Sequence, residues 1–432
     1  MTLFSPMPEL EASLDRLIAE QAFDAALTQI VVGVHNHYKT PGVEHRKLFY
    51  PGLDQRLATL AEILAAQCPP PAQMGAPGCN TLIIASELPP VGGHARVVMD
   101  LMAEVASPTV VLTDVFTPFF ADPRELHGPL ELFHDASLIV LPQRGLWEKC
   151  RALLKLVQRL NPRDIFYFQH HQDPIPFIAT LGHAGSGKTL VHHTDHNPCM
   201  GCTLPGVGHV DFTEELAATC AHALGVPTTV LPLYVPDRGL KRFAPVEGRK
   251  FSVVTSGSPI KFARAGEQAL QNIVQTALST VDGDFFHIGP LDPAWHAEIQ
   301  AHLQAQDIDP ARFKPIGSVP SLWQSLLGLD AHVYIGSAPI GGARAAIEAQ
   351  GCGYPLAFYR TADRESLTAT ETFYADPAMG WTTLQDLSAL LQKMAADLPR
   401  LSQSARGLYE KNYSREQFRR VLGDLGASLA PV

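Results

Sequence analysis

Twice along this 432-residue chain, short β-branched runs alternate with helical stretches, and that rhythm admits few folds. In the first series TLIIAS (81–86), TVVLTDV (109–115), SLIVLP (137–142), DIFYFQ (164–169), TLVHH (189–193) and TTVLPLYV (228–235) read as strands. Near-continuous apolar runs of this length suit a parallel sheet covered on both faces. Segments between them, such as HARVVMDLMAEV and WEKCRALLKLVQRL, carry helical spacing. In the second series FSVVTSG (251–257), DFFHIG (284–289), FKPIGS (313–318), AHVYIGS (331–337) and PLAFYR (355–360) are the strands. The fold class that follows is α/β, with two tandem Rossmann-like doubly wound domains.

The punctuation sets the boundaries. Residues 1–75 are helical in pattern, with LEASLDRLIAEQAFDAALTQIV and LDQRLATLAEILAAQ ahead of the Pro- and Gly-rich CPPPAQMGAPGCN. Residues 76–238 form the first Rossmann-like domain, and PDRGLKRFAPVEGRK links it to a second over 245–405. Residues 406–432 end in a helix that packs back across both. Apolar residues make up 46% of the chain and charged ones 18%, enough for every segment to bury a core. The net charge of about −10 disfavours a nucleic-acid partner. The N-terminus lacks a signal-peptide pattern, and no apolar run reaches bilayer length, so a cytoplasmic location is expected. Seven irregularly spaced cysteines read as thiols rather than a disulfide framework.

Residues 182–189, GHAGSGKT, fit the phosphate-loop pattern G-x-x-x-x-G-K-[ST]. Such a loop needs a helix after it. Here LVHHTDHNP follows, a strand ending in a His-rich turn, so GSGK reads as a turn between helix and strand. A nucleoside triphosphatase at Gly182–Thr189 is the lowest-ranked alternative. The HHTDH stretch then falls at a strand's C-terminal end, where parallel sheets place ligands. His193, Asp195 and His196 are candidate groups for proton chemistry or sugar contact, and His94 is another. Zinc at His192, His193, Asp195, His196, Cys199 and Cys202 is a weaker reading, since strand alternation parts His192 from His193 and no second Cys pair follows; no metal is expected.

Three glycine-rich turns complete the candidate set. ELPPVGGHARVV places Gly92 and Gly93 before a helix. TSGSPIKFAR places Gly257 and Ser258 in a turn, with Lys261 and Arg264 just beyond as cations for a diphosphate. GSAPIGGARAAIEAQGCGYP is the strongest signal. Its strand ends at Gly336 and a helix opens near Ala343, so phosphate can approach the helix N-terminus. Glu348 lies further along that helix, placed to accept hydrogen bonds from vicinal hydroxyls.

These motifs resemble the GT-B glycosyltransferases, nucleotide-sugar-dependent enzymes with two facing Rossmann domains, over roughly residues 78–425. PPVGGHARV looks like the family's N-domain glycine loop. Glu348-Ala349-x-x-x-Gly353-x-Pro355 is similar to the C-terminal motif of the retaining family 4 enzymes. HHTDHNPCMG resembles a His-rich loop of a bacterial subset, one that faces the sugar. The resemblance implies that Glu348 holds the ribose and that Gly341, Gly342 and Ala343 meet the diphosphate through backbone N–H groups. It implies further that Lys261, with Arg264, neutralises the diphosphate. Where many family 4 members carry a second Glu, eight residues before the first, this chain has Ile340. The Pro-x-Gly-Gly turn also looks like the protein-modifying GT-B enzymes, which invert, so the stereochemical course stays open. The implied reaction moves a sugar from a nucleoside-diphosphate sugar, a UDP-sugar by preference, to a glycan, lipid-linked or protein acceptor without metal. A sugar-nucleotide epimerase of the same fold is the alternative, and a non-catalytic scaffold a third.

Overall fold

A computed structural model describes residues 7–40, 49–71, 78–89, 93–116, 137–192, 200–243, 250–360, 376–427 and 429–430. The chain divides into two compact units, Met1–Pro232 with Arg419–Val432, and Leu233–Phe418.

The first unit holds a seven-stranded sheet of β1 (Thr81–Ala85), β2 (Pro108–Leu112), β3 (Ser137–Val140), β4 (Asp164–Phe168), β5 (Gly187–Val191), β6 (Gly208–Asp211) and β7 (Thr228–Val230). Their order is β3-β2-β1-β4-β5-β6-β7, and every pair is parallel. The order reverses between β1 and β4, whose last residues, Ala85 and Phe168, face each other in register. The apolar runs read from the sequence fall on these strands. β6 is the exception: its Gly-His-Val-Asp has no apolar run to betray it. The run 228–235 yields only three strand residues, for Pro232 brings no N–H to a ladder.

The helices Pro8–Ala19, Phe23–Tyr38 and Pro51–Gln67 do not stand apart from this unit. Their buried Leu14, Ile30 and Leu57 share one hydrophobic cluster with Leu82, Ile84 and Val111 of the sheet. Asp24 caps the helix Leu146–Leu160 by accepting from Trp147 N–H at 3.0 Å, and Phe23 stacks on the Trp147 ring at 4.4 Å. Asp54, buried, accepts from Gly201 N–H, Thr203 N–H and the Thr203 hydroxyl at 2.6, 2.8 and 2.7 Å. Burial pushes its carboxyl up to about 6 against those three donors. Residues 419–430 close the unit: Arg419 pairs with buried Glu104 at 2.6 Å, and Leu429 bridges Val105.

The second unit holds β8 (Val253–Ser256), β9 (Phe285–Ile288), β10 (Phe313–Gly317), β11 (Val333–Ile335), β12 (Leu356–Tyr359) and β13 (Gly380–Trp381). Their order is β10-β9-β8-β11-β12-β13, again all parallel, with the reversal between β8 and β11. Ser256 and Tyr334 hydroxyls meet at 2.6 Å across that junction. Gly289, just past β9, sits at φ +143°, and a Cβ there would lie 2.1 Å from the Gly257 carbonyl oxygen. Only glycine lets these two strand ends approach so closely. Among the described residues no helix is long and apolar enough to cross a membrane.

One buried carboxylate fastens the first switch point. Asp173 Oδ2 accepts from the Ser86 hydroxyl at 2.7 Å and the Thr113 hydroxyl at 2.5 Å, and Oδ1 from Ile175 N–H at 3.0 Å. Ser86 follows β1, Thr113 follows β2 and Asp173 follows β4. Asp173→Ala strands three buried donors and should lower stability by about 2–4 kcal/mol. Urea unfolding should show this as a lower midpoint at unchanged m value.

Candidate functional site

In an open parallel sheet, the crevice for a ligand lies beyond the carboxyl ends of the strands where the order reverses. In the second unit the loops that leave β8 and β11 therefore matter most. The β8 loop makes a single 3₁₀ turn, Pro259–Lys261, after Gly257 and the exposed Ser258. The β11 loop runs from Gly336 to Gly342 and opens the helix Ala343–Gly351. Backbone bonds zip the two loops together. Ile340 N–H donates to the Lys261 carbonyl at 3.3 Å, Ala263 N–H to the Ala338 carbonyl at 3.3 Å, and Phe262 bridges Pro339. Ser337 Oγ donates to the Ile340 carbonyl at 2.8 Å and sets the bend of the second loop.

That zipper aims Lys261 at the helix start. Its ammonium lies 3.4 Å from the Gly341 carbonyl oxygen, and a Cβ added at Gly342 would stand 2.9 Å from Nζ. Gly342 is the N-cap and brings no capping side chain, so the helix opens on its own backbone amides from Ala343 onward. A lysine ammonium and a helix N-terminus at one spot have the chemistry to receive an anion. Helix dipole, amides and ammonium all favour negative charge there.

Two residues on the edge of this site have other duties as well. The Glu348 carboxylate accepts from Trp323 N–H at 3.0 Å through Oε2, while Oε1 lies 3.4 Å from Arg344 Nε. It thereby caps the helix Leu322–Gly328 and keeps lone pairs for further donors. Arg264 lays its guanidinium over the buried Trp295 ring at 4.4 Å.

In the first unit the matching loops leave β1 and β4. Gly93 begins the helix Gly93–Glu104. His94 Nε2 lies 2.7 Å from the Phe168 carbonyl, so that nitrogen carries the proton and donates. Burial, with His170 nearby, drives the His94 imidazole down to about 3 and keeps it neutral. Beside it stands a residue that motif reading passed over. His170, in the loop just past β4, places Nε2 3.1 Å from Glu87 Oε1, and its ring makes edge contacts with His94 and Phe116, both at 5.2 Å. It is 24% exposed. QHHQD (169–173) after the strand DIFYF was its signal: the same pairing of histidines and aspartate at a strand end that drew attention to HHTDH.

Gly92, His193, Asp195, His196 and Cys199 lie outside the described residues. His192 is described, and it turns inward at the end of β5, where it is 4% exposed. The phosphate-loop reading of Gly182–Thr189 is overturned. Gly187–Val191 is itself strand β5, the preceding helix is Ile175–Thr180, and Lys188 donates to the His183 carbonyl at 2.7 Å.

No protein-family profile matches this sequence, and neither does any curated relative. Solved structures do match. The lipopolysaccharide outer core galactosyltransferase WaaB superposes with a TM-score of 0.59 at 11% identity, covering 80% of this chain and 98% of that one. HepE of Anabaena, solved with UDP and glucose, gives 0.56 at 14% identity over 81% and 99%. An O-GlcNAc transferase of Thermobaculum terrenum gives 0.53 at 13% identity over 96% and 79%. The fold is therefore the GT-B fold.

His287, in β9, lies under the Lys261 turn with its ring 5.3 Å from Phe262. Burial lowers it from the ordinary 6.5 to about 4. The unfolded chain binds this proton below about 6.5 and the native one does not, so stability falls as pH drops through that window. The effect is about 2–3 kcal/mol near pH 4. Urea unfolding at neutral and acid pH should show a smaller acid loss in His287→Gln than in the parent.

Proposed function

We propose that this protein is a glycosyltransferase that moves a hexosyl group from a nucleoside-diphosphate sugar, a UDP-sugar by preference, to an acceptor hydroxyl or amide. The observation that carries the reading is Lys261 held against the uncapped helix at Gly342 and Ala343, at the switch point of the second sheet. A diphosphate is the ligand whose charge and span match one ammonium and a row of backbone amides. The GT-B fold agrees, and the HepE structure holds UDP in a protein of that fold.

The chemistry follows from where charge develops. Breaking the bond between the anomeric carbon and the diphosphate leaves negative charge on the leaving oxygens. Lys261 and the helix amides stabilise that charge without rearranging, and such fixed donors are worth about 3–4 kcal/mol each. In this scheme the leaving group needs no metal, since protein charge takes that role. Glu348 accepts from the ribose hydroxyls with the lone pairs left by Trp323 and Arg344. Gly341 and Gly342 let the phosphates approach the backbone. Arg264 adds positive charge at the rim.

Acceptor activation is assigned to the first unit. His170, oriented by Glu87, is the partly exposed imidazole at that sheet's own switch point, and a carboxylate-held imidazole suits a general base. A glycan, a lipid-linked glycan or a protein could each supply the acceptor group.

Two tests follow. In a thermal-shift screen without added metal, UDP at 100 times its dissociation constant should stabilise the protein by about 2.7 kcal/mol. GDP, ADP and CMP should do less. If no nucleotide stabilises the protein, the reading fails. Lys261→Ala should bind UDP more weakly by calorimetry and lose about 100- to 1,000-fold in turnover. Gly342→Ala should fold normally, because the clash is with the mobile end of Lys261, yet bind UDP less well. His170→Ala should keep UDP affinity and lose about 100-fold or more in turnover. Equal UDP binding in Lys261→Ala and the parent would remove the site assignment.

A further inference from the structure

Beneath the end of β5 lies a second cluster of chemistry-bearing side chains that glycosyl transfer does not use. His192 sits at its centre. His209 comes from β6 and Asp211 from that strand's last position. Cys220 comes from the helix Glu214–Leu224, and Cys202 from the turn that follows Met200. All five are buried: His192 4%, His209 5%, Cys202 2%, Cys220 and Asp211 0% exposed.

Proton bookkeeping on His192 shows what this arrangement wants. Its Nδ1 lies 3.2 Å from Asp211 Oδ1, so that nitrogen carries the proton and donates to the carboxylate. Nε2 is then a lone pair. It faces His209 Nδ1 at 3.3 Å and Cys202 Sγ at 3.4 Å. A lone pair takes one hydrogen bond, yet two donor atoms converge on it. Cys220 Sγ approaches the same ring at 3.7 Å from Nδ1, and the ligand atoms of His192, His209 and Cys220 all lie within 4.8 Å of one another.

The spacings are those of ligands round a metal. Zinc takes imidazole nitrogen at about 2.0–2.1 Å and thiolate sulfur at about 2.3 Å. Tetrahedral angles then put two nitrogens about 3.4 Å apart and a nitrogen and a sulfur about 3.6 Å apart. The observed 3.3 Å between His209 and His192 matches the first of these. A carboxylate on the far nitrogen of a ligating histidine is the usual partner that fixes its tautomer. Burial without an open position marks a structural rather than a catalytic site.

We propose that His192, His209 and Cys220 bind a zinc ion that ties the end of β5, β6 and the helix Glu214–Leu224 together, with Asp211 orienting His192 and Cys202 lying against the same ring. The residues join positions that spacing along the sequence does not connect: His209 and Cys220 lie 17 and 28 residues beyond His192. The inference stands apart from the transferase reading and from any donor.

The test is metal content and spectroscopy on the full chain, purified without a polyhistidine tag from zinc-supplemented medium. Elemental analysis should find close to one zinc per chain. Cobalt exchanged into the protein should show the intense visible bands of a tetrahedral site and a near-ultraviolet band from thiolate ligands. Cys220→Ser should weaken that thiolate band, and Asp211→Asn should lower zinc affinity about 10- to 100-fold. A strong chelator should lower the melting temperature of the unaltered protein, and added zinc should restore it. That last measurement stands even if a cysteine variant fails to fold. Zinc well below one per chain, with a melting temperature indifferent to chelator and zinc, would overturn the proposal. So would full zinc content and an unchanged cobalt spectrum in Cys220→Ser.

Discussion

Parallel strands can be joined only by crossovers, and a sheet built that way has one place where successive crossovers turn to opposite sides. Both sheets of this protein obey that constraint, with reversal between β1 and β4 in one and between β8 and β11 in the other. At each reversal the strand ends are left uncovered by their own connections. The loops there are free to carry chemistry while the strands beneath hold them rigid. Glu87, His94, His170 and Asp173 stand at the first reversal, and Gly257, Lys261, Gly341 and Gly342 at the second. The placement of polar residues is thus a consequence of strand order before it is a matter of individual side chains.

At the second reversal the physics is one of concentrated positive potential. An ammonium next to the start of a helix would be repelled by the helix dipole if nothing offset it. The Gly341 carbonyl at 3.4 Å supplies part of the offset. Because the two loops are hydrogen-bonded to each other through Lys261, Ile340, Ala263 and Ala338, the charge is in place before any ligand arrives. Preorganisation of this kind spares the reaction the cost of reorienting dipoles.

Much of this was legible from the sequence, and the gaps have physical causes. The strands and the turn GSAPIGGAR could be read because buried parallel strands are apolar throughout and because close backbone approach demands glycine. Lys261 could be singled out by its place just past a strand-ending turn. β6 could not, since its four residues are half polar and owe their strand state to neighbours on both sides. His170 was hidden by a similar cause: its worth depends on β1 and β4 being adjacent, and adjacency of strands 80 residues apart leaves no local trace. Glu348 was read as a ribose ligand, and its bond to Trp323 N–H, a helix away, could not be foreseen. The inward turn of His192 was equally invisible, because its partners are spread over two strands and a helix.

The first unit is closed by residues that follow the second unit in the sequence. Arg419 meets Glu104, Ala430 N–H donates to the Glu104 carbonyl, and Arg163 donates to the Gly426 carbonyl. During synthesis, then, the ribosome must deliver all of residues 233–418 before the buried Glu104 can find its cation. The second unit is contiguous and can fold as soon as it emerges, while the unit begun first is completed last. Until then Arg419 and Ala430 are missing from the surroundings of Glu104, so the segment that leads into β2 near Val105 waits longest for its native contacts.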